Sequence, residues 1–410
     1  MIAHMINSPS GEVLTGGDSP GVTAAAGFRA AGVTAGLKAS GRPDLALVVN
    51  DGPRDSLCAV FTSNRVVGEP VKWSREVAAD GHARAVVLNS GGANVCTGPA
   101  GYADVEATAA TVAGALGLQP TDVLVASTGL IGERLPVDRL LGGVAPLVGA
   151  LSADGGPDAA TAIMTTDTVA KTAHVTLDTA HGTFTVGGMA KGAGMLAPAL
   201  ATMLVVLTTD ADVDPGGLRT ALRAATAHTF DRLDSDGCMS TSDTVALLAS
   251  GASGVLPDYV EFADAVRAVC ASLARQLIAD AEGASHDIAI TVTNASTEEA
   301  AVAVGRAVAR GNLFKAAMFG NDPNWGRVLA QLGTVPVAVA PFEADEVDVS
   351  INGVMVCRAG GAHEDRSLVD LASAREVTVD IDLHAGTAQA TVWTNDLTHD
   401  YVHENSAYST

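Results

Sequence analysis

Positive charge is scarce in this sequence. Its 24 lysines and arginines stand against 46 aspartates and glutamates, which gives a net charge of −22, and no segment is rich in Lys or Arg. Proteins that bind nucleic acids or anionic membranes attract phosphate groups with basic patches. We therefore expect neither nucleic acid nor a membrane surface as a partner.

Cysteine is also scarce, and long apolar runs are absent. The five cysteines are far apart and form no C-x-x-C pair, which predicts core thiols in a reducing compartment and no zinc site. No stretch reaches about 18 uninterrupted apolar residues, and the first 21 residues lack the basic and apolar regions of a secretion signal. We expect a cytoplasmic protein.

Strand-like and helical segments alternate along the 410 residues, of which 48% are apolar. Short β-branched runs bounded by Gly, Pro or Asp predict strands, whereas apolar spacing of three and four predicts helices. Predicted strands cover 45–50, 58–63, 83–90, 122–128, 173–179, 183–189, 287–294, 346–353, 376–383 and 388–394, with a further apolar run from Met203. Predicted helices cover 104–118, 215–230, 259–283 and 298–311. The fold class expected is α/β, with antiparallel strand pairs covered by helices.

The segment GAGMLA (192–197) matches the dinucleotide-binding pattern G-x-G-x-x-A, with Asp210 at the distance of a ribose-binding carboxylate. Pro198 stands where the following helix should form hydrogen bonds, and the run after it is β-branched and continuous. The pattern therefore favours a strand over a dinucleotide site.

Two other groups of polar residues have alternative interpretations. His399 and His403 stand four apart beside Glu404 and would share a face of a helix, but the flanking residues look irregular and indicate no third ligand, so we expect no metal. The loops NSGGANVCTG (89–98) and FGNDPNWGR (319–327) either form turns that need Gly, Asn or Asp for their backbone conformation, or line a site.

Glu282 ends the predicted helix 259–283, where the helix dipole disfavours a carboxylate by a few tenths to about 1 kcal/mol. The residue is either a solvated helix end or a partner for a cationic ligand.

Thr202 is a conspicuous hydroxyl at the start of an apolar run. A threonine hydroxyl needs a nearby base to act as a nucleophile, and the α-amine of an N-terminal threonine can be that base, with a pKa of about 7.7–8. A chain that cleaves itself at Ala201–Thr202 would create such a residue. From this segment alone, a threonine buried in a strand is equally compatible.

The segment KGAGMLAPALATMLVVLTTDA (191–211) closely resembles the self-processing segment of the ornithine acetyltransferase (glutamate N-acetyltransferase) family. Further segments resemble the same family in the same order: GFRAAGVTAGLK, NSGGANVCTG, ASTGLIGERLP, IMTTDTVAK, DSDGCMSTSDT, DAEGA, LFKAAMFGNDPNWGR and DYVHENSAYST.

The resemblance implies a precursor that cleaves itself into chains 1–201 and 202–410, assembled as a heterotetramer of two of each. Thr202 would take the acetyl group from N-acetylornithine and pass it to glutamate by a ping-pong route in arginine biosynthesis. No cofactor is implied, and acetyl-CoA as a further donor stays open. The implied fold is a layered α/β sandwich, with two β-layers between helical layers.

The resemblance also implies roles for individual residues. Thr128 and Gly129 correspond to the oxyanion hole. The implied substrate contacts are Thr165, Lys191, Thr202, Glu282, Asn405 and Thr410. Lys191 suits an α-carboxylate and Glu282 the ammonium of ornithine, while Thr166 could take the place of Thr165 because adjacent strand residues face opposite sides.

Four positions depart from the family pattern and leave substrate preference open: Ala199, Cys238, Met239 and Ser242. A self-processing aminopeptidase of the same fold is the alternative function, since it would use the same N-terminal nucleophile.

Overall fold

The computed structural model describes residues 11–196 and 203–407, which form sixteen strands and ten α-helices. The strands are β1 (Leu14–Thr15), β2 (Phe28–Val33), β3 (Leu45–Asn50), β4 (Ser56–Phe61), β5 (Ala85–Asn89), β6 (Val123–Ser127), β7 (Lys171–Thr179), β8 (Gly182–Lys191), β9 (Leu204–Thr209), β10 (Thr244–Ala249), β11 (Asp287–Ala295), β12 (Asp348–Ile351), β13 (Val354–Arg358), β14 (Gly361–Ala362), β15 (Glu376–Asp382) and β16 (Ala388–Asn395). The helices are α1 (Glu69–Val77), α2 (Gly98–Leu116), α3 (Val137–Gly149), α4 (Gly156–Ala162), α5 (Pro215–His228), α6 (Tyr259–Ala279), α7 (Glu298–Ala309), α8 (Asn312–Phe319), α9 (Trp325–Leu332) and α10 (His399–Ala407).

The strands form three mixed sheets. Sheet I has the order β1-β7-β8-β9-β10-β4, sheet II the order β2-β3-β5-β6, and sheet III the order β14-β13-β12-β15-β11-β16. Parallel pairs are β9 with β10, β5 with β6, and β11 with β15, whereas the other neighbours are antiparallel. The α/β class predicted from the sequence is confirmed.

Sheets I and II pack face to face, and alternate residues of each strand face opposite layers. In β9, Leu204 and Val206 pack towards sheet II, whereas Val205 and Leu207 join the core formed with α5 and α6. Sheet II behaves in the same way, because Val48 faces sheet I while its neighbour Leu47 faces the side covered by α2 and α3. The layers therefore run α5 and α6, sheet I, sheet II, then α2 and α3.

Sheet III lies outside this stack and has a core of its own. Its buried residues, such as Ile290 and Val379, pack with Val304 of α7, Phe314 of α8 and Val328 of α9. The sandwich implied by the family resemblance contains no such third sheet. Strands after residue 286 pair among themselves, so alternation predicted the strands but could not assign them to a separate sheet.

The expectation of five core thiols is wrong for two of them. All five cysteines are free, and Cys58, Cys270 and Cys357 are buried, but Cys96 and Cys238 are exposed. These two exposed cysteines lie in separate turn-rich segments, where no alternating pattern places a side chain in a core. Within the described residues, no helix is both long and apolar enough to cross a membrane.

The predicted boundary between residues 201 and 202 lies, along the chain, between two neighbouring strands of sheet I. Strand β8 precedes it, strand β9 follows it, and the two pair antiparallel from Val186 opposite Thr209 to Lys191 opposite Leu204. Two chains produced by cleavage there would share one sheet, whose backbone hydrogen bonds and apolar faces would hold them together.

Leu248 tests the interface between sheets I and II, because its side chain is fully buried there. We expect Leu248→Ala to lower the free energy of unfolding by about 2–5 kcal/mol, through lost apolar contact and the cavity left behind. Leu256→Ala is the matched control, since Leu256 is 71% exposed and should change stability by less than about 0.5 kcal/mol. Urea unfolding at one protein concentration compares them, and equal effects would contradict the packing.

Candidate active site

A cleft of about 1270 Å³ brings together every predicted site residue that the structure describes. These are Thr128, Gly129, Thr165, Lys191, Glu282 and Asn405, and they come from five separate segments of the chain. Ala201, Thr202 and Thr410 lie outside the described residues. The individual roles of all nine residues stay predictions.

Thr128 and Gly129 follow directly after strand β6 and face the loop of residues 90–93, which also lines the cleft. Gly129 has a φ of +131°, and a Cβ there would lie 2.7 Å from the Gly92 nitrogen. The Gly92 N–H donates to the carbonyl of Thr128 at 3.0 Å. Only glycine permits this close approach of two backbones, so the local sequence fixes where the Thr128 hydroxyl and Gly129 amide stand.

Only one of the two Gly- and Asn-rich loops lines the cleft. The loop 319–327 instead connects α8 to α9, and its Asn324 side chain caps α9 by accepting from the Arg327 N–H. This segment is a demanding turn and contributes no residue to the cleft.

Lys191 ends strand β8, and its side chain is almost fully buried, with 1% exposed. Its ammonium donates to the Thr128 hydroxyl at 3.3 Å, so the hydroxyl keeps its own proton for an acceptor in the cleft. Burial lowers the pKa of Lys191, while the carboxylates of Asp167 and Glu282 act in the opposite direction. The cleft therefore contains the Lys191 ammonium, which is almost inaccessible to water, next to the Thr128 hydroxyl as a hydrogen-bond donor.

A buried cluster of three charged residues holds this part of the cleft in place. We call Asp167, Lys171 and Asp280 the buried charge cluster. The fully buried Lys171 ammonium donates to Asp167 at 2.6 Å and to Asp280 at 2.5 Å. Burial alone would raise the pKa of Asp167, but the charges of Lys191 and Lys171 outweigh it and lower that pKa to about 2.

The two carboxylates of the cluster also hold the backbone around them. Asp167 accepts from the Thr165 N–H at 2.9 Å and from the Gly192 N–H at 2.7 Å. Asp280 accepts from the N–H and the hydroxyl of Thr168. The segments that carry Thr165, Lys191 and Glu282 are thus fixed to one cluster. The buried charge cluster was not predicted from the sequence. The signal available there was the spacing of four residues between Asp167 and Lys171.

Thr165 and Thr166 both line the cleft, because residues 165–166 form a bend rather than a strand. The expectation that one of them must face away is therefore wrong. The Asp167 carboxylate accepts from the Thr165 amide and so turns the chain at this point.

Glu282 lies beyond the helix that was predicted to contain it. Helix α6 ends at Ala279 rather than Gly283, because Asp280 turns away from the helix to bind Lys171. The Glu282 N–H donates to the carbonyl of Ala193 at 2.9 Å. The interpretation based on a carboxylate at the helix end is therefore corrected: Glu282 belongs to a loop tied to the segment after β8.

The Glu282 side chain packs over Gly194 and meets Asn405. A Cβ on Gly194 would lie 2.4 Å from the Glu282 carboxylate, and that carboxylate accepts from the Asn405 amide at 3.0 Å. Gly283 has a φ of +60°, and a Cβ there would lie 2.2 Å from the Tyr401 nitrogen. Two glycines thus let Glu282 and helix α10 approach the cleft together.

Residues around His399 and His403 form helix α10, so the expectation of an irregular segment is wrong. The His399 ring packs edge-on against Phe319, with ring centroids 5.4 Å apart. Within residues 11–196 and 203–407, no three or more His, Cys, Asp or Glu side chains are grouped to hold a metal ion.

The structure gives no support to the dinucleotide interpretation of GAGMLA. Residues 192–196 after β8 form a bend rather than a helix start. Asp210, the candidate ribose ligand, accepts instead from the backbone N–H groups of Thr185 at 2.8 Å and Ala26 at 3.2 Å.

The cleft thus has room for a small ligand, and the side chains of Lys191 and Glu282 both line it. The model of the ArgJ family matches residues 29–410. The chain belongs to the ArgJ family, which confirms the resemblance.

Curated relatives match over nearly their whole length. The arginine biosynthesis bifunctional protein ArgJ of Streptomyces coelicolor is 63% identical, covering 95% of this chain and 99% of the relative. The protein of the same name from Bifidobacterium longum is 59% identical, covering 94% and 99%. A solved ornithine acetyltransferase from Mycobacterium tuberculosis, complexed with ornithine, is 52% identical and covers 47% of this chain and 100% of the solved chain, with a TM-score of 0.43.

The buried charge cluster predicts a specific acid sensitivity. Because the pKa of Asp167 is about 2 in the fold and 3.8 ordinarily, its ionised form stabilises the protein above pH 3.8, and that contribution is lost as the pH falls towards 2. We expect the stability difference between wild type and Asp167→Asn to shrink by about 2 kcal/mol over this range.

Urea unfolding at several pH values measures this difference. Asp154→Asn makes the same chemical change at an exposed position and should keep the pH dependence of the wild type. A difference between wild type and Asp167→Asn that stays constant with pH would show that Asp167 is not held ionised by Lys171 and Lys191.

Proposed function

We propose that this ArgJ-family protein transfers the acetyl group of N-acetylornithine to glutamate in arginine biosynthesis. The observation that carries the proposal is the pairing of Lys191 and Glu282 around one cleft, close enough for their charges to interact. Both substrates carry an α-carboxylate, which suits Lys191, and ornithine carries a side-chain ammonium, which suits Glu282. Relatives of 63% and 59% identity that are named arginine biosynthesis bifunctional protein ArgJ support the same pathway.

Thr202 is the nucleophile in this proposal, with its own α-amine as the base. The Thr202 hydroxyl oxygen attacks the acetyl carbonyl carbon while the α-amine takes its proton. The C–N bond then breaks as the leaving nitrogen takes this proton from the α-ammonium, ornithine leaves as the free amine, and an acetyl ester remains on Thr202. The amine of glutamate attacks this ester, and N-acetylglutamate leaves as Thr202 regains its proton.

Thr128 and Gly129 supply the oxyanion hole in both steps. The Thr128 hydroxyl already accepts from Lys191, so its proton is available to the negative oxygen that forms in the cleft. A donor of this kind is typically worth about 3–4 kcal/mol of transition-state stabilisation. The close contact of Gly129 with Gly92 keeps the amide in a fixed position, which is what such stabilisation requires.

The nucleophile requires that the chain cleaves itself between Ala201 and Thr202. Chains 1–201 and 202–410 would remain associated through the pairing of β8 with β9, and we propose a heterotetramer of two copies of each. The same fold could serve a self-processing aminopeptidase, but a peptide substrate would not need Lys191 and Glu282 as opposite charges in one cleft.

Thr202→Ala tests the nucleophile. We expect an uncut chain on a denaturing gel and no acetyl transfer, because both reactions need the hydroxyl. Wild-type protein should give two bands of similar size and form N-acetylglutamate from acetylornithine and glutamate. Cleavage of the Thr202→Ala protein at residue 201 would show that another group is the nucleophile. Replacing acetylornithine by acetyl-CoA in the same assay decides whether a second donor is used.

Glu282→Ala tests the ammonium contact. Loss of a hydrogen-bonded charge partner costs about 1.5–3 kcal/mol, so the KM for acetylornithine should rise roughly ten- to a hundredfold, with a smaller change for glutamate. Glu343→Ala, at an exposed position, is the control and should leave both constants unchanged. Equal losses for the two substrates would remove the ammonium role.

A further inference from the structure

Two carboxylates of one loop hold the backbone on both sides of the proposed cleavage bond. We call residues 236–243 the flanking loop. On the upstream side, the Leu196 N–H donates to Asp236 at 3.3 Å, and the Met195 N–H also interacts with this carboxylate. On the downstream side, the Met203 N–H donates to Asp243 at 2.9 Å. The bond itself lies outside the described residues, but both of its flanks are described.

The two contacts share one register. Leu196 and Asp236 are forty residues apart, and so are Met203 and Asp243. The parallel pairing of β9 with β10 has the same offset, beginning with Leu204 opposite Thr244. The flanking loop therefore spans the same number of residues as the segment from Leu196 to Met203.

The backbone adds to this register. The Ser235 N–H donates to the carbonyl of Leu196 at 2.5 Å, and the Thr244 N–H donates to that of Met203 at 3.2 Å. Each flank thus accepts through its carbonyl from a residue next to the flanking loop and donates through its N–H to a carboxylate of the loop. Such two-point contacts fix both position and orientation of a peptide.

The flanking loop is itself anchored from two sides. Before it, the carbonyl of Ser235 accepts from the buried Lys315 ammonium of helix α8, and Asp234 pairs with Arg310 at 2.8 Å. Within it, the carbonyl of Ser240 accepts from the Thr62 hydroxyl at 2.6 Å. The loop can therefore act as a fixed template rather than follow the segment beside it.

Asp243 is fully buried, and its Oδ2 has no hydrogen-bond partner among the described residues. Burial raises the pKa of this carboxyl well above its usual range, with Lys191 acting in the opposite direction. In either protonation state this carboxyl can accept from the Met203 N–H, and the side-chain oxygen of an asparagine can replace that acceptor.

We propose that Asp236 and Asp243 are positioning residues for self-cleavage, holding the two flanks of the Ala201–Thr202 bond in one register. The inference rests on the proposed self-cleavage. In that reaction the Thr202 hydroxyl oxygen attacks the Ala201 carbonyl carbon, and the C–N bond breaks to free the α-amine of Thr202. Water then hydrolyses the resulting ester, leaving a carboxylate on residue 201 and restoring the hydroxyl.

The two aspartates therefore differ in the reaction, self-cleavage or acetyl transfer, to which they contribute. After cleavage the upstream flank is no longer joined to Thr202, so Asp236 should affect cleavage much more than acetyl transfer. Met203 is the second residue of the new chain, so Asp243 positions Thr202 both for cleavage and for acetyl transfer.

The test follows cleavage of the full-length chain over time after cell-free synthesis, on denaturing gels, and then measures transfer activity per cleaved molecule. Asp236→Ala should slow cleavage roughly tenfold or more but leave activity per cleaved molecule within about twofold. Asp236→Asn, which keeps one acceptor oxygen, should give a smaller effect. Asp243→Leu should reduce both rates, whereas Asp243→Asn should restore both to within about threefold.

Cys238→Ala is the matched control, because its exposed side chain lies in the same loop between the two aspartates. It should cleave at the wild-type rate. Cleavage of Asp236→Ala at the wild-type rate, or an equal loss of transfer per cleaved molecule, would overturn the inference while leaving the proposed function intact. A wild-type chain that stays uncut would overturn both.

Discussion

The arrangement of the cleft depends on one buried positive charge, the ammonium of Lys171. Removing such a charge from water costs several kcal/mol unless it is paired with good geometry. Asp167 and Asp280 provide that pairing, and the same two carboxylates also accept from Thr165, Gly192 and Thr168. Three segments distant in sequence therefore meet where the charge must be compensated. Thr165, Lys191 and Glu282 lie on these segments, so the spacing of these three predicted substrate contacts is set by electrostatics.

Sheet I passes from the first proposed chain to the second next to this cluster. Lys191 ends β8, and Met203 precedes β9, its antiparallel neighbour. A new chain start normally frays, but here the next residues are a buried strand between β8 and β10. The flanking loop adds contacts to either side of the proposed break. The sheet thus gives a self-made N-terminus the rigidity that a nucleophile needs.

Local sequence patterns predicted elements whose apolar residues follow a regular spacing or form a continuous run. Continuous β-branched runs predicted strands such as β3 and β9, because each side of these strands faces a different buried layer. Such patterns failed where a tertiary contact decides: helix α6 stops four residues before the predicted end because Asp280 binds Lys171. The short helix α10 has no buried residue and so no apolar face to detect, although it delivers Asn405 to Glu282. Thr202 and Glu282 were singled out from their own positions in the sequence, whereas the other predicted site residues came from family resemblance, since charge pairing across the chain leaves no local pattern.

The account depends on Thr202 becoming an N-terminal residue that carries the acetyl group. Intact-mass spectrometry of the wild-type protein, under denaturing conditions, tests this most directly. We predict two chains, 1–201 and 202–410, and after incubation with acetylornithine alone the second chain should gain the mass of one acetyl group. Addition of glutamate should remove that mass. A single chain of full length, or an acetyl group on the first chain, would contradict the account.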